Sequence, residues 1–426
     1  MKEKIKVGYI GLGGRGLNVL QENFIKMEDV EIKYLCDVLE SRMQLAVELF
    51  EKDGLPIPIT TTCSDDIMND PEVDAVVIMT GWNTHIDLAK KSMLAGKYTA
   101  IEVGCAYDLQ ECFDLIDIYE QTKSPLMMLE NCCYGRNEMM ALRLVKEGIF
   151  GEIVHCRGGY RHYLPSEDLF PERAYNHYRA HEYVNRNCEQ YPTHELGPIC
   201  KCLNINRGNR LMKLTSTASK SRALKDYVTR YLPEDSEFQN VEFKQGDIVN
   251  TIITCANGET ILLTLDTTLP IPYYSRDFTV RGTKGCFEED RFTVFLEGQT
   301  EDFLLYPGMK ADEVFNKKQE KDFALYDHPL WAEYVKTEMR GGHGGFDWLV
   351  CRAFVESVKR GIETPIDAYD TVTLMAIAPL SEMSIQKGGM PVSIPDFTRG
   401  KWIRREPPLQ TKYSLDEIVT DPDTPI

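Results

Sequence analysis

The sequence predicts an α/β domain with a doubly wound parallel sheet, followed by an α+β domain with a large, mostly antiparallel sheet. Over the first 130 residues, short β-branched apolar runs alternate with longer amphipathic segments, which is typical of a parallel sheet covered by helices on both faces. After Asn131 the chain becomes richer in short strands separated by turn signals. Since 426 residues can bury two cores, we place the domain boundaries at 1–130 and 131–405, with a tail at 406–426.

The parallel strands are predicted from apolar runs that lie between helical patterns. They are residues 7–10, 32–35, 75–79, 98–101 and 126–129.

The second domain begins with a helix predicted at 136–146, which ends at Gly148. Ala256-Asn257-Gly258 is an Asn-Gly hairpin candidate between two of its strands. Late helices are predicted at 346–359, before Gly361, and at 370–386. The strands are predicted at 151–160, 249–255, 260–265 and 278–280.

Composition and charge exclude several classes of partner. The net charge is -18 and no dense Lys/Arg run is present, so we expect no nucleic-acid partner. No segment approaches the roughly 20 apolar residues that span a bilayer, and the charged start leads directly into a strand, so we expect a cytoplasmic protein without a membrane partner. The thirteen cysteines are irregularly spaced, which favours free thiols in a reducing compartment and no metal site.

A glycine-rich turn follows the first strand. Gly11-Leu12-Gly13-Gly14-Arg15-Gly16 matches G-x-G-x-x-G, in which the glycines allow a tight turn and the next helix N-terminus attracts a pyrophosphate. Such turns also serve packing alone, but Asp37 ends the next predicted strand about twenty residues on, where a carboxylate accepts ribose hydroxyls and repels a 2′-phosphate. The pattern predicts a Rossmann domain that binds NAD rather than NADP.

Further cofactor contacts are predicted where later strands end, because ligands of open α/β sheets bind at the carboxyl ends. The segment after the third run predicts a wall for the nicotinamide ribose; alternatively, Thr84 caps the helix that carries His85 and Trp82 fills a packing gap. The residues at these strand ends are Trp82, Asn83, Thr84, His85, Glu102, Val103 and Asn131.

The N-terminal third resembles the glucose-fructose oxidoreductase and inositol dehydrogenase (Gfo/Idh/MocA) superfamily. The resemblance is carried by GLGGRG, Asp37, TGWNTH and GKYTAIEVG. Members commonly have Glu-Lys-Pro where this chain has Glu102-Val103-Gly104, and their lysine assists hydride transfer from a sugar hydroxyl. That lysine is absent here.

A narrower resemblance covers residues 6 to about 405. It is carried by motifs that include Gly159-Tyr160-Arg161-His162, Tyr191-Pro192-Thr193-His194 and Arg281-Gly282-Thr283-Lys284-Gly285. With these motifs the chain looks like the NAD-dependent α-N-acetylgalactosaminidases, a glycosidase branch of the same superfamily that also has Glu-Val in place of Glu-Lys.

This resemblance implies two sets of site residues. Two departures are Gly104, where proline is usual, and Glu195, where glycine is typical and an extra carboxylate would lie near the pocket. The NAD contacts it implies, together with the motif glycines, are Gly11, Gly13, Gly14, Arg15, Gly16, Asp37, Trp82, Asn83, Thr84, His85, Glu102, Val103, Asn131 and Tyr191. The sugar contacts it implies are Tyr160, Arg179, Tyr191, Pro192, Thr193, His194 and a tyrosine at Tyr273 or Tyr274.

The family mechanism that this implies is oxidative. NAD takes a hydride from C3 of the sugar, the C2 proton is removed, the aglycone leaves C1, water adds, and the hydride returns without net redox. His194 is the first candidate base, because histidine as a residue type has an unperturbed pKa of about 6.5, which suits proton transfer at neutral pH. Tyr160 and Tyr273 or Tyr274 could hydrogen-bond developing charge. The alternatives are a loop histidine, packing tyrosines and, for Arg179, a surface ion pair.

Other function classes stay open from sequence alone. The main alternative is an NAD-dependent sugar or polyol dehydrogenase, and another is a silent NAD-binding sensor. His177, His181 and Glu182 could form a zinc site, but their spacing is not H-E-x-x-H, and we expect none. We expect a small carbohydrate as substrate and a homo-oligomer, either a dimer or a tetramer.

Overall fold

The computed structural model describes residues 2–170, 178–298, 320–420, 424 and 426. The chain divides into two compact units. Unit 1 comprises Met1–Met139, His328–Thr373 and Arg405–Ile426, and unit 2 comprises Met140–Asp327 and Leu374–Arg404. The domain boundaries predicted at residues 130 and 405 stay a prediction.

Unit 1 contains a six-stranded parallel sheet in the order β3-β2-β1-β4-β5-β6, which confirms the predicted parallel sheet. Its central strand β4 is buried at every position, because helices cover both faces of such a sheet, and its sequence therefore reads as one apolar run. The short third strand was not predicted. The strands are β1 Ile5–Ile10, β2 Val30–Cys36, β3 Ile59–Thr61, β4 Ala75–Ile78, β5 Tyr98–Ile101 and β6 Leu126–Met128.

The helices of the N-terminal part are α1 Gly14–Glu22, α2 Glu40–Lys52, α3 Ser64–Met68, α4 Trp82–Leu94 and α5 Leu109–Thr122. The later segment His328–Thr373 adds α10 Pro329–Tyr334 and α11 Phe346–Arg360 to this unit. The 3-10 turns of the unit are Phe24–Lys26, Asn131–Tyr134 and His343–Gly345. Within the described residues, no helix is both long and apolar enough to cross a membrane.

Unit 2 contains an eight-stranded sheet in the order β13-β12-β11-β7-β10-β9-β8-β14. Only the β7–β10 pair is parallel among its described pairs, so the predicted mostly antiparallel sheet is confirmed. The Asn-Gly hairpin joins β9 to β10, and Gly258 has the positive φ of +102° that the turn requires. The strands are β7 Ile153–Arg161, β8 Leu211–Ala218, β9 Ile248–Cys255, β10 Thr260–Asp266, β11 Thr279–Gly282, β12 Gly285–Glu288, β13 Thr293–Leu296 and β14 Val392–Ser393.

The remaining elements are helices, and one prediction about them is wrong. Residues 370–386 do not form a single helix. Pro379 has no N–H, and its ring clashes with the carbonyl four residues before it, so the helix breaks at Ala376. The helices are α6 Arg136–Lys146, α7 Tyr178–Asn185, α8 Thr193–Cys202, α9 Ala223–Tyr231, α12 Ala368–Met375 and α13 Ile377–Gln386, with a π-helical turn at Pro165–Leu169 and 3-10 turns at Glu289–Arg291 and Lys401–Ile403.

Candidate active site

The glycine turn after β1 leaves an open cradle at the N-terminus of α1. Gly11 has a φ of +96°, and a Cβ on it would lie 2.7 Å from the carbonyl carbon of Met79. A Cβ on Gly16 would lie 2.1 Å from the Gly11 oxygen, so both positions require glycine. Nothing lies within 4 Å of a Cβ on Gly14, and only Arg42 approaches Gly13, at 3.9 Å. The backbone at Gly13 and Gly14 is therefore accessible to a pyrophosphate, as predicted for this turn.

Asp37 follows β2 and is bound to the glycine turn. Its Oδ2 accepts a hydrogen bond of 2.7 Å from the Leu12 N–H, and its Oδ1 accepts one of 2.9 Å from the Leu39 N–H. Arg42 Nη1 lies 3.6 Å from Oδ2. The carboxylate is thus fixed beside the cradle, with a cation next to it that sequence reasoning missed.

The rings at the start of α4 explain why residue 104 is glycine. Trp82 Nε1 donates a hydrogen bond of 3.1 Å to the Val103 carbonyl. A Cβ on Gly104 would lie 2.4 Å from His85 Cε1 and 2.6 Å from Trp82 Cδ1. A proline would meet the same rings, so the departure at Gly104 follows from their packing. The helix N-cap is Gly81, and Thr84 instead donates to the Gly81 carbonyl; the capping interpretation of Thr84 is therefore wrong.

His85 is fully buried, and neither ring nitrogen has a hydrogen-bond partner among the described residues. Burial lowers the pKa of His85 to about 4. The imidazole is therefore neutral at pH 7. The two helix positions before it, Asn83 and Thr84, are exposed.

A carboxylate from α11 joins the ends of β5 and β6 to the glycine turn. The Arg15 guanidinium donates to Asp347 through Nη1 at 2.7 Å and Nη2 at 3.0 Å, and its Nε donates to Glu102 Oε2 at 3.1 Å. Asn131 Nδ2 donates to Asp347 Oδ1 at 2.6 Å, and His343 Nδ1 lies 2.9 Å from Oδ2. Asp347 thus fixes Arg15 and Asn131 at once.

The charge of Asp347 is strongly stabilised. Its side chain is 1% exposed, and burial alone would raise its pKa, but hydrogen bonds from His343 and Arg15 outweigh burial and hold the pKa well below its usual range. Sequence reasoning missed this residue. The available signal was the His343-Gly344-Gly345 turn directly before a helix with an acid in its first turn.

In unit 2, three predicted sugar-site residues form one aromatic cluster. Tyr160, at the end of β7, stacks on Tyr191 with ring centroids 4.3 Å apart. His194, the second residue of α8, lies edge-on to Tyr191 at 4.8 Å and to Tyr160 at 5.7 Å. Pro192 and Thr193, which connect them, are buried. The YPTH motif therefore places an imidazole against two phenol rings.

Arg179 lies against the same cluster from α7. Its guanidinium lies 4.6 Å from the Tyr191 ring centroid, and Nη1 donates to Asp168 Oδ2 at 3.2 Å. Its side chain is only 11% exposed, so the alternative of an ordinary surface ion pair is wrong. Of the two histidines considered in this segment, His177 lies outside the described residues and His181 is exposed on α7.

The structure distinguishes Tyr274 from Tyr273. The ring of Tyr274 lies 6.3 Å from that of Tyr160 and 5.2 Å from that of His162, edge-on to both. Tyr273 is 55% exposed and has no ring contact with this cluster among the described residues. Tyr274 is therefore the tyrosine that the structure brings to the cluster.

Two buried carboxyl groups flank the YPTH motif. Glu195 packs its stem against β7, since a Cβ on Gly158 would lie 2.5 Å from the Glu195 Cβ. Glu189 is fully buried, and burial raises its pKa to about 8, against a smaller opposing effect of a hydrogen bond from the Tyr191 backbone. Glu189 was not predicted, because a glutamate in a polar loop gives no sign of burial in a sequence.

Comparisons with known proteins match two consecutive stretches of the chain to two families. Residues 5–129 match the family described as "Oxidoreductase family, NAD-binding Rossmann fold", and residues 134–404 match "Glycosyl hydrolase 109, C-terminal domain". This protein belongs to glycosyl hydrolase family 109. The resemblance inferred from its motifs is confirmed, and the chain is a family 109 glycosidase with an oxidoreductase-like, NAD-binding fold.

Individual relatives in family 109 match nearly the whole chain. An "Alpha-N-acetylgalactosaminidase" of Tannerella forsythia is 36% identical over 425 residues, covering 95% of this chain and 88% of the relative. A "Glycosyl hydrolase family 109 protein" of Stenotrophomonas maltophilia (strain K279a) is 38% identical over 427 residues, covering 95% and 91%. An NAD binding oxidoreductase from Klebsiella pneumoniae shares the fold, with a TM-score of 0.69, 14% identity and coverage of 92% and 100%.

Within this family 109 chain, several of the predicted residues form one connected group in each unit, whereas Asn83, Thr84 and Tyr273 are exposed and lie outside these groups. In unit 1 the glycine turn, Asp37 and the Arg15, Glu102 and Asn131 side chains are joined by hydrogen bonds through Leu12 and Asp347. In unit 2, Tyr160, Tyr191, His194, Arg179 and Tyr274 are in ring contact. The open cradle at Gly13 and Gly14, beside an anchored carboxylate, fits a dinucleotide.

Proposed function

We propose that this enzyme is an NAD-dependent glycosidase that cleaves hexosides, N-acetylgalactosaminides first among them, by transient oxidation at C3, C2 deprotonation, elimination and water addition. The observation that carries the proposal is the YPTH cluster, where His194 lies against Tyr160 and Tyr191. The name of the T. forsythia relative supports the choice of sugar. Most glycosidases use two carboxylates, and NAD-dependent ones are exceptions.

The cofactor would be held by unit 1. The accessible backbone at Gly13 and Gly14 would bind the pyrophosphate, and Asp37, fixed by the Leu12 N–H, would accept a ribose hydroxyl. NAD, when bound, supplies reversible hydride acceptance, so that the overall reaction can be redox-neutral. Arg15, Glu102 and Asn131 would then shape the site through the hydrogen bonds that fix them.

The unit 2 side chains would handle protons and orient the sugar. We assign His194 as the base that removes the C2 proton, because imidazole is the commonest general base and this half-buried ring lies against Tyr160 and Tyr191. Tyr274 would donate a hydrogen bond to an oxygen that gains negative charge, and the Tyr160 oxygen would hydrogen-bond the substrate hydroxyl that is oxidised. Arg179, held by Asp168 and Tyr191, would orient the substrate.

The deciding experiment incubates the holoenzyme with p-nitrophenyl glycosides in D₂O. We expect nitrophenol release without net NADH accumulation, and deuterium at C2 of the released sugar, because C2 exchanges its proton during elimination. Accumulation of NADH with a free sugar would support the alternative, an NAD-dependent sugar dehydrogenase, and overturn the glycosidase mechanism. NAD binding with neither signal would indicate a sensor.

Val103→Lys tests the division between glycosidase and dehydrogenase. Val103 is 5% exposed at the end of β5, where the dehydrogenases that the chain resembles carry a lysine. We expect the variant to lose glycoside cleavage and to gain NADH formation with free sugars. Val103→Met, of similar length without the charge, is the control. Full cleavage by Val103→Lys, with no dehydrogenase activity, would show that the position does not separate the two reactions.

We also propose that the protein is cytoplasmic and that it forms a homo-oligomer. All thirteen cysteines are free and most are buried, which supports a reducing compartment such as the cytoplasm.

One face of the unit 2 sheet carries partly exposed side chains such as Ile252 and Leu262, which supports association into a dimer or tetramer. Sedimentation equilibrium of the wild type and of Ile252→Lys would test the assembly.

A further inference from the structure

A continuous chain of hydrogen bonds leads from Tyr160 to the surface of unit 2. The Tyr160 hydroxyl lies 3.0 Å from His162 Nδ1, and His162 Nε2 lies 2.7 Å from Glu167 Oε2. Tyr160 is 5% exposed, whereas the Glu167 side chain is 61% exposed. The imidazole therefore connects a buried phenol with a carboxylate in contact with water.

The chemistry of the end group sets the direction of these bonds. An ionised carboxylate only accepts hydrogen bonds, so Glu167 selects the tautomer with the proton on His162 Nε2. The lone pair then lies on Nδ1 and accepts from the Tyr160 O–H. The Tyr160 O–H therefore donates to His162, and the His162 Nε2–H donates to Glu167, so both hydrogen bonds point towards the surface.

The local fold holds the imidazole in this position. The His162 N–H donates at 3.0 Å to the Asp266 carbonyl, which extends the strand pairing one residue past β7. The π-helical turn at Pro165–Leu169 then returns the chain so that Glu167 meets His162. The ring of Tyr274 closes one side, edge-on at 5.2 Å.

Other charged groups near the Tyr160–His162–Glu167 hydrogen bonds have partners of their own. Asp168, beside Glu167, accepts from Arg179, and Arg276 lies over the Tyr274 ring, 3.6 Å from Glu289. Asp266 faces His162 from β10 through its backbone carbonyl, and His194 contacts the Tyr160 ring. Glu167 is thus the carboxylate in hydrogen-bond contact with the His162 ring.

We propose that His162 and Glu167 form a proton relay that acts through Tyr160; the proposal rests on the proposed function. As a substrate hydroxyl is oxidised, its proton passes to the Tyr160 oxygen while the Tyr160 proton passes to His162 Nδ1. The C–H electron pair leaves to the nicotinamide dinucleotide, and a C=O bond forms. The new imidazolium is neutralised by the Glu167 carboxylate, and both protons return when the ketone is reduced.

His162 and Glu167 are positioning residues in this scheme, and two variants separate a relay from a structural role. Glu167→Gln, at an exposed site, leaves the ring in place but removes the charge that selects the tautomer, and His162→Ala removes the relay. We expect kcat on the best p-nitrophenyl glycoside to fall about 10²-fold in both, with KM within about twofold and an altered pH profile of kcat. Added imidazole should partly restore His162→Ala. The controls are Glu152→Gln and His155→Gln, in the same unit.

A second measurement does not depend on turnover. Nitrogen-15 NMR of the cofactor-free protein should show His162 protonated on Nε2 in the wild type, and a changed tautomer ratio in Glu167→Gln and Tyr160→Phe. A proton on Nδ1 in the wild type, or variants whose kcat and pH profile match the controls, would overturn the relay while the glycosidase proposal stands. A wild type that cleaves no glycoside would overturn the proposed function, and the NMR result would still decide the direction of the hydrogen-bond chain.

Discussion

His85 and Gly104 depend on each other at the residue scale. The ring of His85 fills the space in which any side chain at position 104 would lie. A buried ring with no polar partner in the described residues is held there by packing alone. Two measurable consequences follow, one from volume and one from charge.

We expect Gly104→Ala to lower the free energy of unfolding by about 1–3 kcal/mol, because the new methyl group overlaps His85 Cε1 and Trp82 Cδ1. Urea denaturation measures the loss. His85→Ala makes room, so the double variant should recover part of it. Gly14→Ala, with nothing within 4 Å of the added Cβ, is the matched control. Equal losses in Gly104→Ala and Gly14→Ala would refute the packing argument.

Acid should destabilise the protein through His85. Its pKa is about 4 when folded and about 6.5 when unfolded, so the unfolded state binds more protons between these values. Stability contributed by the neutral ring is complete above about pH 6.5 and falls by roughly 3 kcal/mol towards pH 4. His85→Leu should flatten the pH dependence of the unfolding free energy in this window, whereas His181→Leu, at an exposed position, should not. Identical profiles for wild type and His85→Leu would contradict the assignment.

At the element scale, α11 organises the cofactor side of unit 1. Its first turn supplies Asp347, which binds the first turn of α1 through Arg15 and the 3-10 turn after β6 through Asn131. Further along, Arg352 donates to Asp29 at 2.7 Å, just before β2. One helix from late in the chain thus fixes loops at three strand ends or starts.

Asp347→Ala should therefore lower both the free energy of unfolding and the affinity for NAD. Among the described residues it leaves Arg15 with Glu102 as its carboxylate partner. Removal of one partner of a buried ion pair costs about 3–5 kcal/mol, and we expect the low end because the Arg15 side chain is 34% exposed. NAD affinity, measured by calorimetry, should fall about tenfold or more as Arg15 and Asn131 lose their positions. Asp87→Ala, which removes an exposed pair with Lys90, should change neither quantity. A variant as stable as that control would refute the role of Asp347.

At the scale of the whole molecule, cofactor binding should be visible as stability. NAD at one hundred times its Kd should raise the unfolding free energy by about 2.7 kcal/mol, provided that it binds only the folded state. Asp37→Ala should abolish the thermal shift, because the carboxylate also holds the Leu12 N–H of the glycine turn. Glu40→Ala, nearby and exposed, serves as the control. An equal shift with NADP would show that Arg42 offsets the expected repulsion.

Much of the fold could be predicted because buried parallel strands give continuous apolar runs. Four of the five runs differ from the observed strands by only one to three residues at their ends, and Tyr98–Ile101 matches. The Ile59–Thr61 strand was missed because it lies at the sheet edge, is mostly exposed and is only three residues long. The apolar periodicity of residues 370–386 predicts one continuous helix, whereas the structure has two, because Pro379 interrupts the helix.

The candidate site likewise contains residues that the sequence predicts and residues that it does not. Local motifs such as G-x-G-x-x-G and YPTH could be read directly, since their spacing is part of the sequence. The role of Asp347 could not be predicted from a local motif, because its ion pair with Arg15 joins residues that are 332 positions apart in the sequence. The relay through His162 and Glu167 depends on a π-helical turn, which has no clear sequence signature.

Unit 1 is assembled from three separate stretches of chain, and this order affects its synthesis. The Tyr134 hydroxyl donates at 2.7 Å to the carbonyl of Tyr413, whose side chain is fully buried. On the ribosome, the six strands of the first sheet emerge long before the residues of the last stretch, so this unit is completed only after Tyr413 has emerged. A chain truncated before Tyr413 would contain every residue of the glycine turn and of the YPTH cluster and still lack the carbonyl that accepts the Tyr134 hydrogen bond.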